Sequence, residues 1–323
     1  MYSPPFTVSA KAIKLIAEIS AQIERYSIKM GAEESLMLRK ANRIKTIHSS
    51  LAIEGNTLSS DEVSDIVNGK NVIAPIRQIQ EVRNAIKAYE LFPSLDPYSM
   101  DDLLRAHGVM MEALADDAGM FRKRGVGVYS GGHAVHIAPQ AHMVPGLMSD
   151  LFAWLNSSED HLLVKSCVFH YEFEFIHPFS DGNGRTGRLW QSLILSKLHP
   201  LFENLPVENM VFANQTAYYD AISKSSDLAD SGPFIEFMLE EILASLKAHQ
   251  GSPVSHRITE KEQRVLDYIM AKPDSSAKAI SDKTGISDRQ VERLIASLKE
   301  KGILVRSGSR KSGRWIFRNR RYK

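Results

Sequence analysis

Residues 177–188 read His177-Pro178-Phe179-Ser180-Asp181-Gly182-Asn183-Gly184-Arg185-Thr186-Gly187-Arg188 and put one imidazole, one carboxylate, three glycines, an Asn and two Arg side chains in one short segment. The glycines let the backbone approach a pyrophosphate closely, where any Cβ would obstruct it. Asp181 is a hard oxygen ligand, suited to a Mg²⁺ ion that keeps several waters and bridges phosphate oxygens. Arg185 and Arg188 offer planar, permanently charged forks for the remaining phosphates. His177, with an unperturbed pKa of ~6.5, can be neutral near pH 7 and accept a hydroxyl proton. Together these groups describe transfer of a phosphate-linked group from a nucleotide to an alcohol.

The flanking sequence predicts the elements that position this cluster. Residues 167–176 are apolar and aromatic, and residues 189–198 are apolar with helical spacing. The segment reads as helix, tight glycine-rich loop, then a second helix beginning near Gly184. Unpaired N–H groups at that helix start, together with the helix dipole, make a site for an anion. Arg185 and Arg188 are three apart and project from one face of its first turns. Further upstream, Ile44, Ile47, Leu51 and Ile53 form a helical apolar pattern, and Gly55-Asn56 reads as a left-handed stop just after Glu54. In residues 125–139, two short β-favouring runs flank Ser130-Gly131-Gly132-His133, a hairpin signal. Arg122 and Arg124 precede it and read as solvated charges outside the site. Cys167 reads as a buried small hydrophobe and not a nucleophile.

The 177–188 segment resembles the signature of Fic-domain proteins, His-x-Phe-x-Asp/Glu-Gly-Asn-Gly-Arg-x-x-Arg, with all eight fixed positions filled. The run His170-Tyr171-Glu172-Phe173-Glu174-Phe175-Ile176 is similar to the helix that leads into it, and the resemblance extends over roughly residues 30 to 245. It implies a helical fold and, most often, adenylylation, in which AMP from ATP is attached to a Ser, Thr or Tyr hydroxyl of a protein. By that similarity His177 is the base, Asp181 holds Mg²⁺ and Phe179 anchors the loop in the core. Gly182, Asn183 and Gly184 form the anion hole, while Arg185 and Arg188 hold the β- and γ-phosphates. Tyr219, in preference to Tyr218, takes the place of the family tyrosine that contacts adenine or ribose. The hairpin resembles the flap on which a target segment docks as an added strand, with Val126, Val128, Val135 and Ile137 as the docking residues.

Ser50-Leu51-Ala52-Ile53-Glu54-Gly55 resembles the inhibitory motif of the same family, Ser/Thr-x-x-x-Glu-Gly/Asn. It implies that Ser50 and Glu54 belong to an N-terminal, intramolecular inhibitory helix. Glu54 would then pair bidentately with Arg188 and occupy the fork that the γ-phosphate needs. A plain helix end with Glu54 as an ordinary polar residue accounts for the same residues. So does a carboxylate that positions a water and removes AMP from a modified protein.

The chain of 323 residues is 43% hydrophobic, long enough for two domains or for one large domain with an appendage. Its single cysteine excludes an intramolecular disulfide and fits a reducing compartment. No stretch approaches the ~20 apolar residues of a membrane span, and Lys11 and Lys14 interrupt any signal-like apolar run at the start. The expected location is the cytoplasm. The overall charge of +2 hides an asymmetry, because residues 256–323 hold 18 Lys or Arg against 8 Asp or Glu. Gln250-Gly251-Ser252-Pro253-Val254-Ser255 has linker composition. Beyond it, Thr259 with Glu262 at capping-box distance opens a helix bearing Val265, Leu266 and Ile269. Residues 277–284 form a second helix ended by Gly285, and Ser287 opens a third, stopped at Gly302. Residues 303–306 and 314–317 then pair as a hairpin. This order resembles a winged helix, a fold common in bacterial regulators, with Asp288, Arg289, Gln290 and Arg293 toward a major groove. Arg310, Lys311 and Arg314 of the wing would lie toward phosphates.

The expected fold is therefore mainly α: a Fic helical core with a β-hairpin flap, plus a C-terminal winged helix-turn-helix. The divisions expected are an N-terminal helical region at 1–100, a catalytic core at 101–249, a linker at 250–258 and the winged helix at 259–323. The expected activity is autoinhibited, Mg²⁺-dependent transfer of AMP from ATP to a protein hydroxyl, including hydroxyls of the chain itself. The alternatives are a DNA-binding regulator whose Fic core senses nucleotide, and a de-AMPylating hydrolase using Glu54. Expected partners are ATP, a hydroxyl-bearing protein, DNA through the C-terminal domain and a second copy in a homodimer, with no membrane.

Overall fold

The computed structural model of the chain describes residues 2–29, 34–130, 133–203, 205, 207–251, 260–300, 304–307 and 314–317. Two compact units share them, residues 1–250 and 251–323. The first unit begins with α1 (Ala10–Lys29), α2 (Glu34–Ile53), α3 (Ser60–Val67), α4 (Ile76–Leu91) and α5 (Met100–Met110). Strands β1 (Gly127–Ser130) and β2 (His133–Ile137) follow, then α6 (Val144–Ser157), α7 (Leu162–Ile176), α8 (Asn183–Ser196), α9 (Val207–Ala213), α10 (Gln215–Leu228) and α11 (Gly232–Gly251). One hydrophobic core runs through its helices, from Ala12 and Ile19 through Leu51, Val82 and Phe169 to Leu246. Residues 1–100 therefore share a core with residues 101–249. Among the described residues no helix is long and apolar enough to cross a membrane.

The centre of this unit is the α7–α8 pair. A helix that is apolar all round must be buried on every side. Twelve of the 15 residues of α7 are buried, from Leu163 to Ile176, and so is most of α8, including Leu189, Trp190, Leu193 and Ile194. Peripheral helices start on local signals. Ser59 and Glu62 form a reciprocal capping box at α3, and Ser99 accepts the Asp102 N–H at α5. α11 runs on to Gly251, two residues into the expected linker, because its apolar face holds Leu243 and Leu246 against the core.

β1 and β2 pair antiparallel, as the hairpin signal predicted. The register slips between Val128 and Tyr129, so Val128 faces His136 while Tyr129 faces Ala134, and Val135 falls in the bulge. Gly131, Gly132 and the side chains of 127–137 lie outside the described residues. That leaves the expected docking side chains Val128, Val135 and Ile137 outside them too, and Val126 sits one residue before β1.

The second unit holds α12 (Glu260–Ala271), α13 (Ala277–Thr284), α14 (Asp288–Glu300), β3 (Leu304–Ser307) and β4 (Arg314–Phe317), with β3 and β4 antiparallel. Its own core comprises Val265, Leu266, Ile269, Ile280, Ile286, Val291, Ile295, Leu298, Leu304 and Trp315. Gly285 ends α13 in the left-handed conformation (φ 67°), and Ser276 caps its start. Thr259, expected to cap α12, lies outside the described residues. Glu262 is buried and accepts a hydrogen bond from Ser297 Oγ at 2.8 Å.

Candidate active site

α7 ends where the backbone of His177 turns left-handed (φ 50°, ψ 61°), with its N–H on the Phe173 carbonyl at 2.9 Å. That conformation costs a residue bearing a Cβ roughly 1–2 kcal/mol and persists only where the surroundings impose it. Phe179 is fully buried and lies flat on the imidazole of His107, ring centroids 3.6 Å apart at an interplanar angle of 4°. Asn183 closes the loop: its Oδ1 accepts the Phe179 N–H and its Nδ2 donates to the Phe179 carbonyl, both at 2.9 Å. The Asn183 side chain is thus spent on the loop, and only its main-chain N–H remains for an anion. Gly182 adopts φ 83°, and a Cβ there would meet Met111 Sδ at 2.6 Å. α8 begins at the next residue, one position before the predicted start.

The anion position at the α8 start is already in use. A Cβ on Gly184 would collide with Glu54 Oε1 and stand 2.9 Å from Arg188 Nη1. Only a glycine admits both groups against this backbone. Glu54 follows α2, whose end is fastened by Gln215 Nε2 on the Ile53 carbonyl at 3.1 Å. Its Oε1 takes a hydrogen bond from Arg188 Nη2 at 2.7 Å. Ser50 takes the rest of that guanidinium, its carbonyl accepting from Nη2 at 2.8 Å and its Oγ from Nε at 3.1 Å. The expected pairing of Glu54 with Arg188 is present, but Ser50 shares the fork, so Glu54 does not fill it bidentately. Arg188 is 3% exposed; although burial works against its charge, Glu54 raises its pKa above the ordinary value. Below them sits Glu174, its Oε1 buried without a hydrogen-bond partner. Burial pushes its pKa up to about 8, with the Glu54 charge adding and Arg188 opposing.

Asp181 carries cations on both oxygens. Arg185 Nη2 meets Oδ1 at 2.9 Å, and Arg77 Nη2, from α4, meets Oδ2 at 3.0 Å. Arg185 is buried and also lies 3.9 Å from Glu81, so its guanidinium stands between two carboxylates. A single half-exposed carboxylate suits a Mg²⁺ that draws its other ligands from water and phosphate, and Arg77, itself largely exposed, is the group that would have to move aside. Tyr219 is half-buried, and burial together with the Glu54 charge raises its hydroxyl pKa. Tyr218 points into the core, its hydroxyl on His170 Nε2 at 3.0 Å.

Two residues that hold this site escaped the sequence reading. His107 is buried, and burial pulls its pKa down to about 4, so its ring is neutral. Its Nδ1 accepts the Gly119 N–H at 2.9 Å, which leaves Nε2–H to donate to the Asp181 carbonyl at 2.9 Å. Arg122 was expected in solvent and is 2% exposed, because its guanidinium is taken up by main-chain carbonyls, including that of His177 at 2.7 Å. In the second unit Arg289 and Arg293 are exposed on α14. Arg314 lies in β4 opposite Ser307, with its side chain outside the described residues, as are Arg310 and Lys311 entirely.

A Fic/DOC family model matches residues 97–195, and a model described as winged helix-turn-helix DNA-binding matches residues 258–305. Protein adenylyltransferase fic-1 of Caenorhabditis elegans is 32% identical over 231 residues, which cover 67% of this chain and 42% of that protein. The chain thus spans less than half the length of that curated relative. The solved structure of residues 134–508 of the same protein shares the fold, with a TM-score of 0.63 at 23% identity. A crystal structure of a Fic family protein from Desulfovibrio desulfuricans G20 has a TM-score of 0.77 at 39% identity, covering 99% of both chains. With the filled signature at the α7–α8 junction and a likeness of that extent, the chain belongs to the Fic family.

Proposed function

We propose that this protein is a Mg²⁺-dependent protein adenylyltransferase held inactive by Glu54. The observation that carries the reading is the Glu54 carboxylate lying on the Gly184 backbone and on Arg188, where an anion would sit at the start of α8. Displacing it would free Arg188 and the first N–H groups of α8 for the terminal phosphates of ATP. His177 would take the proton of a target hydroxyl as that oxygen attacks the α-phosphate, and pyrophosphate would leave. Mg²⁺, held by Asp181, would neutralise phosphate charge. Arg185 would orient Asp181, and Tyr219 would flank the nucleoside. The target segment would be held along the hairpin by main-chain hydrogen bonds. The single buried Cys167, its thiol pushed up to about 12 by burial, suits a reducing compartment such as the cytoplasm.

The test is transfer of label from α-³²P-ATP with Mg²⁺ by wild type, Glu54→Gly and Glu54→Gly/His177→Ala. The expected result is strong label with Glu54→Gly, weak label with wild type and none with the double variant. Label at the wild-type level in Glu54→Gly would refute the inhibitory role. No transfer at all, but AMP release from a preloaded protein that depends on Glu54, would reverse the direction of the reaction.

A further inference from the structure

A buried Arg ordinarily faces a carboxylate, but the Arg122 guanidinium is spent on main-chain carbonyls. Nε donates to the His177 carbonyl at 2.7 Å and Nη2 to that of Ile176 at 3.2 Å. Nη2 also reaches the Pro139 carbonyl at 2.6 Å, and Nη1 that of Arg124 at 2.9 Å. The main-chain N–H of Arg122 donates to the Pro178 carbonyl at 2.9 Å. These acceptors belong to two places. Residues 176–178 are the left-handed turn that presents the His177 imidazole. Arg124 and Pro139 are the two roots of the hairpin, just before β1 and just after β2.

We propose that Arg122 is a positioning residue that sets the catalytic base and the target-docking hairpin in one fixed relation. The proposal rests on the adenylyl-transfer reading above. Attack on a phosphate needs the hydroxyl, the base and the phosphorus aligned together. Nucleotide position is set from α8, whereas hydroxyl position is set from the hairpin. Arg122 joins the second of these to the imidazole through a rigid planar fork whose donors diverge toward both. A Lys has three donors on one nitrogen and cannot span the same acceptors. Arg122 takes no part in the contacts at the α8 start, where Arg188 bonds to Ser50 and to Glu54.

The experiment compares Glu54→Gly with Glu54→Gly/Arg122→Lys in the full chain, by steady-state transfer and by hydrogen exchange without nucleotide. Misplacement of a reacting group by about 1 Å costs ~10²-fold in rate. The expected result is a kcat lower by that order with the KM for ATP little changed. In the same variant, amides of the hairpin and of 176–179 should exchange faster together, while those of α8 keep their protection. Unchanged kcat, or a loss of kcat matched by a loss of ATP binding and of α8 protection, would overturn the proposal, the latter because it marks general unfolding. If Glu54→Gly itself transfers nothing, the adenylyl-transfer reading fails. The exchange arm then still decides, since independent behaviour of hairpin and turn refutes the coupling.

Discussion

Removing Glu54 should lower the stability of the nucleotide-free protein and raise its affinity for ATP by the same amount. Breaking a fully buried ion pair costs ~3–5 kcal/mol, and an exposed pair is worth ~0–1 kcal/mol. This pair lies between those limits: the Arg188 side chain is 3% exposed and that of Glu54 is 36% exposed. Arg188 also keeps both Ser50 contacts when Glu54 goes. A loss of about 2 kcal/mol follows, which lowers Tm by ~4–8 °C in a unit of this size. If ATP must expel Glu54 to reach Arg188, wild type spends the same ~2 kcal/mol on binding, a ~30-fold difference in Kd. The two effects then cancel in the complex. Thermal unfolding of wild type and Glu54→Gly, each alone and with saturating Mg²⁺–ATP, should give separated curves without nucleotide and converging ones with it. Equal Tm values without nucleotide would refute the stabilising pair. A gap that persists at saturation would refute expulsion and leave Glu54 in place beside a misaligned ATP.

Three further outcomes can be checked. Arg77→Ala should tighten Mn²⁺ binding at Asp181, followed by electron paramagnetic resonance, by up to ~5-fold, the value of an exposed ion pair; unchanged affinity would mean that Arg77 does not compete for that carboxylate. Stability should fall from pH 6.5 to 8. Burial raises Glu174 to about 8 and Glu172 and Glu208 to about 7 from 4.5, so the folded state keeps protons that the unfolded chain has released. His107 and His170, pulled down to about 4 by burial, oppose this trend only below their ordinary value of 6.5. Glu174→Gln should remove about 2 kcal/mol of the decline at ~1.36 kcal/mol per unit, and an unaltered slope in that variant would rule out a protonated Glu174. Finally, deleting residues 256–323 should abolish a salt-dependent DNA gel shift; no shift of the full chain with any DNA at low salt would argue against the second unit, with Arg289 and Arg293 exposed on α14, as a DNA-binding surface. Six to ten phosphate contacts would make binding fall ~10³- to 10⁵-fold between 50 and 200 mM salt.

What was legible in the sequence is what side-chain type and spacing encode locally. The helix–loop–helix around residues 177–188, the end of α2 at Ile53, the hairpin and the three helices of the second unit all follow from periodicity and glycine placement. Arg122 was not legible because its partners are carbonyls, which every residue carries, and because they lie at 124, 139, 176 and 177. His107 was hidden for a related reason, since its stacking partner Phe179 and its acceptor Asp181 lie far away along the chain. Arg185 was legible as a cation of the cluster, but its pairing with Asp181 was not, because Asp181 lies before the first turn of α8 with the left-handed Gly182 between them. The bulge at Val135 has no signature, because a strand of five residues with a histidine in each alternation does not fix its register.

The charges around the α8 start give a reason for the first hundred residues to share a core with α7 and α8. Arg188 is neutralised by Glu54 at the end of α2, and Asp181 by Arg77 at the start of α4 together with Arg185. A guanidinium buried like that of Arg188 is costly without a partner, and a core built without α2 would remove every side-chain and main-chain acceptor it bonds to, Ser50 and Glu54, until a nucleotide arrived. Leu51 and Ile53 anchor α2 in that core within one turn of Glu54, and Val82 and Ala85 anchor α4 close to Arg77. Both stand-in charges are therefore carried at the ends of helices whose other faces are packed. A Mg²⁺–triphosphate would bring the same two signs to the same two places, the anion to Arg188 and the cation to Asp181. Exchange of one set for the other needs the side chains of Glu54 and Arg77 to swing, both of them partly exposed, while the buried frame of Phe179, His107 and Asn183 stays as it is.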